Sequence, residues 1–292
     1  MKLRYMFAVC GIFTIFIIAF LIFEKEDIKE TIIFFPIDRS AAYVTANTSL
    51  TASNALAPGG YSVRLRSASV LDRHAYLRQD LSFVFKDGRL REKMGKWEPN
   101  TDRIVQEEVL QEKESALYSA VSFHYSEIHK NEESIFSAQM MSSDFIYTVS
   151  SPISPVSAFR VPFRQEDVQW KGILDKGVEM LIENTLNKAA DSYGINKNDY
   201  YIFRLTELAR FETSPFPGFS RQATDKAIGR LWEGLYKNYF LGIKKRDGTV
   251  INPVDSTIPV ILLSKDKKIL LVLIQPADGD LVILKQEIQD SR

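Results

Sequence analysis

Tyr5 to Phe23, YMFAVCGIFTIFIIAFLIF, carries no charge and almost no polar atom. A helix over these residues spans about 28 Å, close to the hydrocarbon thickness of a bilayer, so the sequence predicts a membrane anchor. Lys2 and Arg4 precede the run, and Glu24, Lys25, Glu26 and Asp27 follow it. The positive-inside bias then puts residues 1–4 in the cytosol and the remainder outside, a single-pass signal-anchor topology. Cleavage is not expected, because a signal peptide has a shorter apolar core and a small-residue cleavage site directly behind it. Cys10 sits inside the run after Val9, which suits a small apolar residue of a membrane helix better than a lipid-attachment site.

With 45% hydrophobic and 12% aromatic residues over 292 positions, the rest of the chain has enough apolar surface for one large core or two modest ones. Lysine plus arginine equals aspartate plus glutamate at 37 each, which argues against a nucleic-acid partner. Cys10 is the single cysteine, so no disulfide staples the chain and burial must hold it together. These features fit a cell-envelope protein of a single-membrane, Gram-positive-like bacterium.

From Ser40 to Gly60 the chain is rich in Ser, Thr, Ala and Asn, which suits a tether leaving the membrane or an exposed edge. At Tyr61 an alternation begins, with Val63 and Leu65 between Arg64 and Arg66, as in a half-buried strand. Asp87-Gly88 between two strand-like runs predicts a type I′ hairpin. Thr101 to Ser115, rich in Glu and Gln, predicts a helix. ALYSAVSFHYSEIH satisfies strand and helix spacing alike, and its aromatic and valine content favours strand. IFSAQMM and FIYTV complete a sheet of five or six strands. Pro152, Pro155 and Pro162 block helix and ladder and mark a linker. A long helix follows from about Gln165 to Tyr193, closed by Gly194, then a second helix capped by Ser220 and three strands at the end.

The organisation predicted is a cytosolic end at 1–4, an anchor at 5–23, a tether at 24–60, a first α+β unit at 61–150, a proline-rich linker at 151–164 and a second α+β unit at 165–292. The fold class is α+β, with antiparallel sheets and packed helices outside the membrane.

All three histidines, His74, His124 and His129, fall in the first unit, and HYSEIH sets Glu127 between two of them. On a strand His124 faces away from Glu127 and His129; on a helix His124 meets Glu127 while His129 points elsewhere. A metal site at His74, His124, Glu127 and His129 is therefore the minor alternative. There is no GxSxG elbow. Glu207 and Glu212 read as helix-surface acids, and Asp278-Gly279-Asp280 as a turn rather than a calcium loop. No motif implies a cofactor. Trp97, Trp170 and Trp232 read as core anchors.

Between Tyr61 and Lys96 basic residues outnumber acidic ones, and Glu98 to Glu114 then reverses the balance. Either the two segments neutralise each other in the fold, or Arg64, Arg66, Arg89 and Arg91 form a basic surface for anionic lipid or wall polymer. The layout is that of anchored regulatory and assembly proteins of Gram-positive envelopes. The function expected is a non-enzymatic binding, regulatory or assembly module acting on another envelope or membrane protein or an anionic envelope polymer. The alternative is an envelope hydrolase, possible with a metal, using the His124/Glu127/His129 region.

Overall fold

The computed structural model describes residues 32–54, 60–131, 133–151, 154–245 and 247–288. From Ile32 onward the chain is one compact unit. Six strands come first: β1 (Tyr43–Asn54), β2 (Tyr61–Lys86), β3 (Arg89–Glu112), β4 (Ala116–Asn131), β5 (Ser134–Ser151) and β6 (Ser154–Phe159). All pair antiparallel in one sheet. The β2–β3 hairpin turns at Asp87 (φ 50°) and Gly88 (φ 78°), both left-handed, as its Asp-Gly sequence requires.

β2 organises the sheet because its two halves serve different neighbours. Along one edge it pairs with β3; along the other, residues 61–71 pair with β1 and residues 77–86 with β4. A register shift between Val70 and Ala75, with Asn100 at φ 47° on β3, bends the ribbon there. The first half folds back over β4 and β5, giving a nearly closed, barrel-like sheet. Leu50, Tyr61, Val63 and Leu65 thereby bury against Val84, Ala120, Tyr118 and Ile146.

The seam between β1 and β5 is stitched by side chains. Asp144 Oδ2 accepts from the Leu50 amide at 2.7 Å, Arg160 donates to the Leu50 carbonyl at 2.8 Å, and the two side chains bind each other. Thr48 Oγ1 donates to the Ser142 carbonyl at 3.2 Å.

The second half of the chain packs on the outer face of this sheet. Helix α1 (Gln165–Tyr193) starts at Arg164, whose amide and side chain bind Asp167, and ends at Gly194 in the left-handed region. Strand β7 (Tyr200–Arg204) runs into a 3₁₀ turn over Leu205–Glu212. Helix α2 (Arg221–Leu235) is capped by Ser220 and widens into a π turn over Tyr236–Phe240. A short hairpin, β8 (Ile243–Lys244) and β9 (Val250–Ile251), precedes β10 (Val260–Ser264), β11 (Ile269–Ile274) and β12 (Val282–Glu287). These last three join β7 in a four-stranded antiparallel sheet, in the order β12-β11-β10-β7. One core joins both halves: Phe83, Phe123 and Met141 of the first sheet meet Trp232 and Leu235 of α2, which in turn meet Ile261 and Val272. Trp232 stacks on Phe123 at 4.9 Å.

Several expectations are corrected. The α+β class gives way to a chain that is mostly antiparallel sheet, with 52% strand and 24% helix among the described residues. The largest change is in the stretch 101–115, expected helical, of which residues 101–112 continue β3: the Glu/Gln composition yields to pairing with the basic β2 alongside. Residues 43–54 of the expected tether are β1, and Ser154–Phe159 of the proline-rich stretch are β6. No helix among the described residues is long and apolar enough to cross a membrane. On that finding the expected membrane anchor, single-pass topology and extracytoplasmic location are corrected; the apolar run Tyr5–Phe23 itself lies outside the described residues.

Candidate functional site

The predicted ligating residues separate along β4. His124 points into the sheet interior, while Glu127 and His129 project from its other side, where His129 Nε2 lies 3.5 Å from Glu127 and its ring stacks on Tyr76 at 3.8 Å. His74, at the bend of β2, contacts the Asn100 carbonyl at 3.0 Å. Among the described residues no three His, Cys, Asp or Glu side chains are placed to hold a metal ion.

His124 belongs instead to a buried polar belt that the sequence did not reveal. Its Nδ1 lies 2.6 Å from Asp80 Oδ2 and its Nε2 2.8 Å from Ser142 Oγ. Asp80 also accepts from Ser69 at 2.6 Å, Ser69 accepts from Arg78 at 2.5 Å, and Arg78 Nη2 stands 3.6 Å from the other carboxylate oxygen. Ser142, Thr48, Ser122 and Ser82 extend the chain of hydroxyl contacts. Arg78, Asp80 and His124 are fully buried between two apolar clusters. Burying such charges is tolerated only where partners satisfy them. The order Asp80–His124–Ser142 is that of a nucleophile triad. None of the three lines the surface grooves along β12 or the one between Asp144 and Asp175.

The basic side chains on β2 and β3 meet the acids of β3. Arg64 and Arg66 both bind Glu107, at 3.2 and 3.0 Å. Arg91 binds Glu112 at 3.0 Å, and Arg89 donates to the Asp255 carbonyl at 2.9 Å. Burial raises the Glu112 carboxyl, but hydrogen bonds from Lys86 and Arg91 outweigh it and hold it below its usual range. Arg64, Arg66 and Arg91 are thus each paired with an acid of β3, whereas Arg89 is held by a backbone carbonyl.

Other singled-out acids have structural partners. Glu207 accepts from the Arg204 amide at 2.8 Å. Glu212 accepts from the Met141 amide at 2.9 Å on the β5 edge; burial and nearby Asp225 push its carboxyl up to about 7. Asp278 and Asp280 both bind Lys245, as turn residues ahead of β12.

A concave surface runs along β12, the terminal strand of its sheet. Three grooves of about 280, 330 and 780 Å³ lie end to end. The first is lined by Ser220, Ala223, Lys226 and Arg230 of α2 and its cap, by Lys267, and by Gln286 to Ile288. The second shares Arg230 and Gln286 and reaches Asn238; the third shares Leu284 and Asn238 and ends at Lys188, Lys245 and Asp280. A fourth, separate groove of about 330 Å³ lies between Asp144, Tyr147 and Asp175. Residues of both parities on β12, Leu284 and Gln286 with Lys285 and Glu287, line the second groove. Successive strand side chains point to opposite faces, so a groove touching both sets opens along the strand edge. The Oε1 atom of Gln286 is buried there without a hydrogen-bond partner, while its Nε2 donates to the Ala227 carbonyl at 3.2 Å. Sequence spacing gives no signal for this surface, because residues 188 to 288 meet there only through the fold. No family model matches the chain, no curated protein matches it, and no solved structure matches it.

Proposed function

We propose that this chain is a non-enzymatic binding module that takes a protein partner along the groove between α2 and β12. The observation that supports the reading is the juxtaposition of an open strand edge with three contiguous grooves flanked by a helix. Binding sites of this kind use main-chain groups for affinity and the flanking grooves for side chains. The buried cluster around His124 has both imidazole nitrogens held by hydrogen bonds inside the sheet, to Asp80 and Ser142, which favours a structural role for it over catalysis.

A photo-crosslinking residue at Lys285, expressed in the full chain in its native cells, tests the proposal. A discrete protein adduct is expected there and not from the same group at Val109, which is 40% exposed on the distant β3 strand. Equal adducts at both positions, or none at Lys285, overturn the reading.

A further inference from the structure

Resting on that reading, we infer that the occupant of the groove is an acidic segment in extended conformation, added to β12 as a fifth strand of the second sheet. Three observations lead there. The first is backbone polarity. The Ile288 amide, just past the end of β12, donates to the Lys268 carbonyl, just ahead of β11, continuing the β11–β12 register. In an antiparallel pair the residues that bond the partner alternate with those that face away, so the amides and carbonyls of Ile283, Lys285 and Glu287 point to the open edge. Three residues with outward donors and acceptors bind a strand of about six residues, and six residues of β12 run about 20 Å.

Charge is the second. Eight basic side chains line the three grooves against four acidic ones, Glu233, Asp247, Asp280 and Glu287. Three of those acids already bind lysines of the same lining: Glu233 with Lys237, Asp280 with Lys245 and Glu287 with Lys285. The excess is positive, and the N-terminal end of α2, opening into the first groove, adds partial positive charge of the same sign.

Symmetry is the third. A second copy pairing β12 with β12 would set the same patch against itself, as any two-fold interface does. Arg230 and its basic neighbours would then face their own copies, and like charges opposed across paired strands destabilise. A partner with Asp or Glu at alternate positions answers the lining; a second copy repels it.

The test is selection of a phage-displayed random dodecamer library on the immobilised full chain, followed by binding of the winning synthetic peptide. Winners are expected to carry net negative charge and alternating apolar residues, with affinity falling as salt rises. Lys285→Pro removes an outward amide without touching the β11 ladder and should abolish binding. Arg230→Glu with Lys267→Glu should weaken it at least tenfold. On the wild-type chain the bound peptide should slow exchange at the Ile283, Lys285 and Glu287 amides, a readout that stands even where Lys285→Pro fails to fold. Recovery of neutral or basic peptides, recovery of none, or unchanged exchange at those three amides overturns strand addition. A Lys285 crosslink that survives such a result leaves the binding module standing and removes only its acidic-strand occupant.

Discussion

Nδ1 of His124 and Oδ2 of Asp80 lie 2.6 Å apart as cross-strand partners on β4 and β2, inside the sheet and out of contact with water. Asp80 is also the counter-charge of Arg78, itself fully buried. Removing one member of a buried ion pair strands the other, at a cost of about 3–5 kcal/mol. Asp80→Asn should therefore lower unfolding free energy by that order in urea titration. Arg78→Met combined with Asp80→Asn should cost less than the two single changes added together. Additive losses would show that the pair is not energetically coupled.

The belt also explains what the sequence conceals. Arg78, Asp80 and Ser82 alternate with Leu81, Phe83 and Phe85, a pattern that reads as a solvent face opposite a core face. Both faces are buried, because the first half of β2 folds over the second. Period-two patterning shows that two faces differ in polarity, and leaves open what covers the polar one. Local signals fared better: Asp87-Gly88 turned the hairpin, Ser220 capped α2 and Gly194 closed α1. Thr101 to Ser115 misled because composition carries helix propensity, while the β2 neighbour that overrode it lies some forty residues away in sequence.

The side-chain seam makes a local prediction. Asp144 holds the Leu50 amide while Arg160 holds its carbonyl, replacing one rung of a ladder between β1 and β5. Asp144→Ala frees the Leu50 amide and removes the carboxylate that holds Arg160 in place. A hydrogen bond to a charged group contributes about 1.5–3 kcal/mol, and partial exposure of Arg160 puts the expected loss at the lower end. Hydrogen exchange at the Leu50 amide should accelerate well beyond that at Tyr118, on the far side of the same core. Unchanged exchange at Leu50 would mean that the seam is held by packing alone.

Two helix glycines should respond with opposite signs. A methyl group at Gly229 of α2 would stand 2.0 Å from the Phe34 ring and 2.6 Å from Gln139 Oε1, so Gly229→Ala must displace the segment around Phe34. At Gly177 of α1 nothing lies within 4 Å of the added carbon. Alanine is favoured over glycine inside a helix by about 1 kcal/mol. Gly177→Ala should then raise the melting temperature, whereas Gly229→Ala should lower it and loosen the Tyr125 hydroxyl contact with the Ile33 carbonyl. Stabilisation by both would place the Phe34 segment away from α2 in solution.

Glu212 gives the chain a pH dependence near neutrality. Its carboxyl rises from 4.5 to about 7, chiefly through burial, with Asp225 adding repulsion and Arg221 opposing it. Between those pH values the folded chain keeps a proton that the unfolded chain has released, so stability is fully present below about pH 4.5. It declines as pH climbs towards 7 and levels off above. One pKa unit corresponds to about 1.4 kcal/mol, which bounds the loss at roughly 3 kcal/mol. Glu212→Gln keeps an acceptor for the Met141 amide and removes the titration. The difference in unfolding free energy between wild type and this variant should widen from pH 5 to pH 7.5 in favour of the glutamine. Acids held low by partners, such as Asp38 beside Lys130 and Asp167 beside Arg164, titrate below this window and cancel in the comparison. A difference independent of pH would show that water reaches Glu212 and that its carboxylate is solvated where it meets β5.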